Sequence, residues 1–143
     1  MDIIVDANLM VALVTQHLHR EAVYRQFEHW ADQGATLHAP DLAYSEVTNA
    51  LTRMISAGLF SREQSQAVCE ELAGLLIRYH SLGFDSSVIK VALQLGRKSA
   101  YDAVYLVLAE RLGAELWTLD TPLYRNAAGH GYPVHLIGES EKR

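Results

Sequence analysis

Residues 99–120 read SAYDAVYLVLAERLGAELWTLD. Asp102 stands at the mouth of seven uninterrupted apolar residues, Ala103 to Ala109, and Gly113 follows as a stop. A long apolar run closed by glycine predicts a buried helix. The short run Ala114–Leu119 predicts a strand, with Asp120 at its end. A buried helix that delivers the chain into a short buried strand is the building unit of an α/β sheet.

Outward from this stretch the alternation continues. Near the N-terminus DIIVDA reads as a buried strand, and NLMVALVTQ and HREAVYRQFEHWADQG read as helices. ATLHAP predicts a second strand, after which Asp41 is placed to cap a helix over LAYSEVTNALTRMISAG. Ser61 is placed to cap a helix over SREQSQAVCEELAGLLIRYH, with HSLGF as a third strand. Asp85 or Ser86 starts a helix over SVIKVALQLGRK. TPLYRNAAGHG predicts a short helix and YPVHLI a last strand or an extended tail. Strands joined through helices pair in parallel and are covered on both faces. The expected fold is therefore α/β, a single domain over 1–143, with 137–143 as a flexible tail.

Composition narrows the function classes. The chain has 143 residues, half of them hydrophobic, and a formal charge of −5. That balance carries no overall basic footprint of a simple nucleic-acid binder. No segment approaches the roughly 20 apolar residues of a membrane span. The opening MDIIVDANL begins at once with an acid, so no secretory leader is expected, and a single cysteine allows no internal disulfide. A cytoplasmic protein with no membrane partner is the expectation.

In parallel sheets ligands bind beyond the carboxyl ends of the strands. Asp6 and Asp120 both follow predicted strands, Asp102 opens the most apolar helix, and Glu46 lies on the helix after the second strand. Each has an ordinary structural use. Asp6 would serve as a solvated strand end or cap, and Glu46 as a solvent-facing helical residue. Asp102 would complete a capping box with Ser99, and Asp120 would cap the helix whose first turn holds Pro122. As a set they mean more. Two like charges about 4 Å apart repel by roughly 4 kcal/mol at an effective dielectric near 20. Carboxylates gathered at one sheet edge must take up protons or bind cations, and hard oxygen donors favour Mg²⁺ or Mn²⁺.

The segments IIVDANLMVALV, APDLAYSEVTNAL and SAYDAVYLVLAERLGAELWTLD, taken together, resemble the PIN-domain family, in particular the VapC-type toxins of bacterial toxin–antitoxin pairs. The resemblance implies a three-layer α/β/α domain with a short, mostly parallel sheet of four to five strands. It implies an endoribonuclease dependent on Mg²⁺ or Mn²⁺, with Asp6, Glu46, Asp102 and Asp120 as the acidic quartet that ligates the cation and carries catalysis. Asn8 and Thr118 match the small polar and hydroxyl positions of the family in supporting roles. Some relatives carry a further acid where this chain offers only Asn126, which leaves one or two ions open. The implied partners are an RNA substrate, a cognate antitoxin and a second copy of the chain in a homodimer. The antitoxin or the second copy would sit on apolar surface from the helices around residues 45–77.

Three cations are candidates for RNA phosphate contacts, Arg97 and Lys98 before Asp102, and Arg53 on the face of Glu46. Arg97 and Lys98 would equally complement a helix C-terminus. Tyr101 and Tyr105 are read either as base-stacking rings or as core. Two rival readings stand beside the nuclease. One is a degenerate PIN domain acting as a binding module. The other is a phosphatase-like hydrolase with Asp6 as nucleophile, which would need an acid where Asn8 stands.

Overall fold

The computed structural model describes residues 1–96 and 100–138. Five strands form one sheet, β1 Asp2–Val5, β2 Thr36–Pro40, β3 Ile77–His80, β4 Glu115–Thr118 and β5 Val134–Leu136, in the order β3-β2-β1-β4-β5. Every pairing is parallel. The helices are α1 Ala7–Val14, α2 Arg20–Asp32, α3 Leu42–Ser56, α4 Ser65–Ala73, α5 Ser86–Gln94, α6 Tyr101–Leu112 and α7 Thr121–Gly129.

The alternation of side chains on the strands sorts these helices into two layers. Ile3, Val5 and Ala39 face a core shared with α1, α2, α3 and α4. Ile4, Leu116 and Val134 face the opposite core, built with α5, α6 and α7. Central β1 is apolar on both faces because both are covered, as expected of a parallel sheet. The three-layer α/β/α architecture is the one the sequence predicts.

α6 is the most deeply set helix. Ala103 and Tyr105 to Ala109 are buried along it, and Gly113 ends it in the left-handed conformation at φ 60°. No side chain but hydrogen suits that position without strain. The cap at its start is Ala100, so Asp102 sits one residue earlier in the first turn than a capping box with Ser99 would put it. Ser99, Arg97 and Lys98 lie outside the described residues.

Three further details differ from the sequence reading. The helix after Ser61 stops at Ala73, with Gly74 at its C-cap, and the third strand is Ile77–His80 rather than HSLGF. The apolar run LLI masks a period-two pattern in which Ile77 and Tyr79 turn to the core while Arg78 is exposed. Asp41 occupies the cap position of α3 but its side chain makes no capping bond. Ile137, placed at the start of the tail, belongs to the core and donates its N–H to the Thr118 carbonyl. Residues 139–143 lie outside the described residues.

One polar chain crosses the apolar sheet. His38, buried on β2, has Nε2 2.8 Å from Asp2 Oδ1 and Nδ1 2.8 Å from His80 Nε2. A carboxylate only accepts, so His38 donates to Asp2 from Nε2, and its Nδ1 shares a second hydrogen bond with His80. Both nitrogens of a buried ring are thereby satisfied, which burial requires.

The depth of α6 sets a stability test. Leu106→Ala, at a fully buried position, should cost about 2–5 kcal/mol in urea unfolding. Leu93→Ala, at an exposed position on α5, should stay within about 0.5 kcal/mol.

Candidate active site

From the central pair β1 and β4 the sheet grows in opposite directions, to β2 and β3 on one side and to β5 on the other. A crevice opens beyond the strand ends at such a reversal, and ligands of open α/β sheets bind there. Asp6 is the first residue after β1, and Asp120 is the second after β4.

Asp6 stands at the cap position of α1, yet its carboxylate makes no capping bond. It turns instead toward β4, where Thr118 Oγ1 donates to Asp6 Oδ2 at 2.8 Å. The Thr118 hydroxyl is wholly buried and also accepts from Asn8 Nδ2 at 3.1 Å and from the Asp120 N–H at 3.0 Å. Two of its three neighbours can only donate, so its single proton goes to Asp6. Asn8 is fixed in the same way. Its Oδ1 accepts the Leu119 N–H at 3.2 Å, which points its amide hydrogens at Thr118 and Asp6. Asn8 and Thr118 thus form a brace that joins β1 to β4 under the Asp6 carboxylate.

Asp120 does cap its helix, accepting the Leu123 N–H on Oδ1 at 3.0 Å. Asp102, in the first turn of α6, favours the helix dipole. Glu46, half-buried in α3, receives a 2.6 Å hydrogen bond on Oε1 from the Tyr105 hydroxyl. Tyr105 also accepts the Ala7 N–H at 3.3 Å.

The four acids share one electrostatic field. Burial first, then repulsion from Glu46, Asp102 and Asp120, pushes the Asp6 carboxyl up to about 7 against the opposing Thr118 hydrogen bond. Burial and the charge of Asp102 raise Glu46, while the Tyr105 bond lowers it. Burial and the carboxylates of Asp6 and Glu46 drive the Tyr105 hydroxyl far above its ordinary range.

An all-carboxylate oxygen set fits a hard divalent cation in its donor chemistry. Among the described residues no three such side chains close into a ready-made cage. Their hydrogen bonds engage Asp6 Oδ2, Glu46 Oε1 and Asp120 Oδ1, leaving the second oxygen of each without a hydrogen bond among the described residues.

The remaining candidates are elsewhere. Arg53 is exposed on α3, two turns along from Glu46. Asn126 donates to the Leu95 carbonyl at the end of α5. Tyr101 is exposed, whereas Tyr105 is buried and belongs to the site, a role the sequence reading did not give it. The available signal was spacing, because Asp102 and Tyr105 lie three apart on one helical face.

The raised Asp6 carboxyl makes stability pH-dependent. A proton bound more tightly by the folded state stabilises it below the unfolded carboxyl range near 4, and this is lost as pH rises through about 7. Holding the group near 7 rather than 3.8 corresponds to about 4 kcal/mol. Urea unfolding of chelator-treated protein between pH 5 and pH 8 should therefore show wild type losing stability relative to Asp6→Asn. Parallel profiles for the two proteins would show that Asp6 does not titrate in this range.

The PIN domain family model matches residues 3–129 of the chain. Ribonuclease VapC3 of Pyrobaculum aerophilum is 34% identical over 128 residues, which covers 86% of this chain and 92% of the relative. Among solved structures, VapBC2 of Rickettsia felis, bound to a DNA fragment from its promoter, aligns at TM-score 0.69 and 14% identity over 96% of this chain and 100% of the other. PAE2754 of Pyrobaculum aerophilum aligns at TM-score 0.67 and 22% identity over 88% of this chain and 79% of the other. These two structures share the fold; the family match and the curated relative go further. The chain is a member of the PIN-domain family, on its VapC-type branch.

Proposed function

We propose that the chain is a Mg²⁺- or Mn²⁺-dependent endoribonuclease and the toxin of a toxin–antitoxin pair. The observation that carries this reading is the buried Asp6, braced by Thr118 and repelled by three further carboxylates. Such a site is relieved by a divalent cation. The name of its curated relative, a ribonuclease, supplies the substrate class.

In this reading Asp6, Asp102 and Asp120 hold the principal cation, and the pKa shift of Asp6 is the cost of keeping that position ready. A divalent ion bound there supplies charge neutralisation at the scissile phosphate and lowers the pKa of an attacking water. Glu46, with Oε1 fixed by Tyr105, offers its other oxygen to orient that water or to complete the shell of a second ion. Thr118 and Asn8 keep Asp6 in place through the reaction. Hydrolysis adds the water oxygen to phosphorus, breaks the bond to one ribose oxygen, and leaves that oxygen as a hydroxyl carrying a proton drawn from water. Arg53, Arg97 and Lys98 are the cations proposed to meet the RNA backbone, by charge alone.

The protein is proposed to act in the cytoplasm and to form a homodimer. Its antitoxin is proposed to lie in the groove of about 430 Å³ between α3, α4 and β3. Apolar Met10, Ala43, Val47, Leu72 and Ile77 line it, and Val47 adjoins Glu46. A solved relative described as VapBC2 supports such a partner by analogy. The second reading, a non-catalytic PIN module, draws on the lack of a ready-made ion cage among the described residues. Asn8 weighs against the phosphatase reading, because its amide is spent on bracing Asp6 and β4.

Expression of wild type should arrest growth and leave RNA with discrete new ends, and Asp102→Asn should do neither. Equal arrest by both proteins would detach toxicity from this site. Millimolar Mn²⁺ should raise the melting temperature of wild type, because a ligand of the folded state stabilises it; an unmoved midpoint together with intact RNA would favour the module. Thr118→Val, which removes the brace, should weaken Mn²⁺ binding by about 10–100-fold in calorimetric titration.

A further inference from the structure

We propose that Tyr105 is a positioning residue of the site, its hydroxyl setting the orientation in which Glu46 meets the cation and the attacking water. The inference rests on the ribonuclease reading above and adds a residue to it.

The ring of Tyr105 is 2% exposed and lies within the seven-residue apolar run of α6, where its hydroxyl is the only side-chain polar atom. Phenylalanine would fill that space equally well. A hydroxyl carried into a core costs stability unless it is hydrogen-bonded, so its presence calls for partners. It has two, and neither belongs to its own helix. The hydroxyl donates to Glu46 Oε1 on α3 at 2.6 Å and accepts the Ala7 N–H of α1 at 3.3 Å.

Those two bonds have a fixed direction. The Ala7 N–H can only donate, so it occupies a lone pair of the phenol oxygen and leaves the O–H for Glu46. The same N–H belongs to the first turn of α1, where backbone donors have no partner within the helix. It follows Asp6 directly. One atom therefore ties the helix that carries Asp102, the helix that carries Glu46 and the residue next to Asp6.

Glu46 is the acid most in need of such a tie. Asp6 is held by Thr118 and Asp120 by its own helix, through side chains with few rotors. Glu46 reaches the site on a longer side chain from a half-buried position, and its hydrogen bond is to Tyr105. Reacting groups misplaced by about 1 Å lose about 10²-fold in rate. With Oε1 occupied by the phenol, Oε2 is the oxygen turned to cation or water.

The test is a cycle of Tyr105→Phe, Glu46→Gln and the double variant in the full chain. Mn²⁺ binding is measured calorimetrically and RNA cleavage at saturating Mn²⁺. Tyr105→Phe should weaken Mn²⁺ binding about 10-fold or more and lower kcat by about 10²-fold, with the RNA KM within about twofold. The binding loss should vanish in the Glu46→Gln background, because Tyr105 acts through Glu46. Leu106→Ala, a neighbouring core variant without a polar contact, should bind Mn²⁺ as wild type does.

Should Tyr105→Phe fail to fold, the wild type still decides. The ¹³Cζ resonance of Tyr105 should move on Mg²⁺ addition and should move much less in Glu46→Ala. Wild-type affinity in Tyr105→Phe, a loss that persists undiminished in the Glu46→Gln background, or an unmoved wild-type resonance would each overturn the proposal. Wild type that binds Mn²⁺ but cleaves no RNA refutes the ribonuclease reading and leaves the binding cycle to judge Tyr105. Wild type that binds no Mn²⁺ overturns both.

Discussion

The hydrogen bond from Thr118 to Asp6 holds the candidate site together. It spans β1 and β4, the pair from which the sheet grows both ways, and it anchors a carboxylate that the surrounding core would otherwise expel. The hydroxyl stabilises the charged form while burial and three neighbouring acids oppose it, and the opposition is stronger. A carboxyl buried under such conditions is a local violation of the rules that make the rest of the core, and such violations concentrate at functional sites.

The surrounding elements restrain this conflict. β1 is covered on both faces, so Asp6 has no freedom to swing its strand into water. α6 is anchored by an apolar run and a left-handed glycine cap, which fixes the start of the helix where Asp102 stands. Asp120 is locked by the helix it caps. Rigid elements thus carry the carboxylates, and positioning falls to the few hydroxyl and amide groups beneath them, Thr118, Asn8 and Tyr105.

Much of this was legible in the chain. The strand ends at Asp6 and Asp120 and the apolar helix behind Asp102 follow from local pattern, because burial on both faces writes a continuous apolar run. Glu46 emerged only as part of a set, since a helical glutamate has no local mark. β3 was misplaced because Leu75 and Leu76 extend the apolar run of the preceding helix up to its first residue, and only pairing with β2 reveals the strand. Tyr105 was hidden by its own ring, which within an apolar run reads more readily as core than as part of a site. Its partners lie 59 and 98 residues away, a separation at which no periodicity speaks. The chain Asp2–His38–His80 was missed for the same reason, as it exists only across three adjacent strands.

The order in which the acids occur has a consequence for synthesis. Asp6 is made well before its brace on Thr118 and the carboxylate of Asp120, which come from β4 and the turn after it. Domains fold as units, and the central strand β1 lacks its β4 neighbour until that late segment has left the ribosome. A nascent chain that has not yet exposed β4 therefore carries scattered acids but no assembled site. Full assembly waits on that segment, and the activity proposed for the protein begins only once β4 has paired with β1.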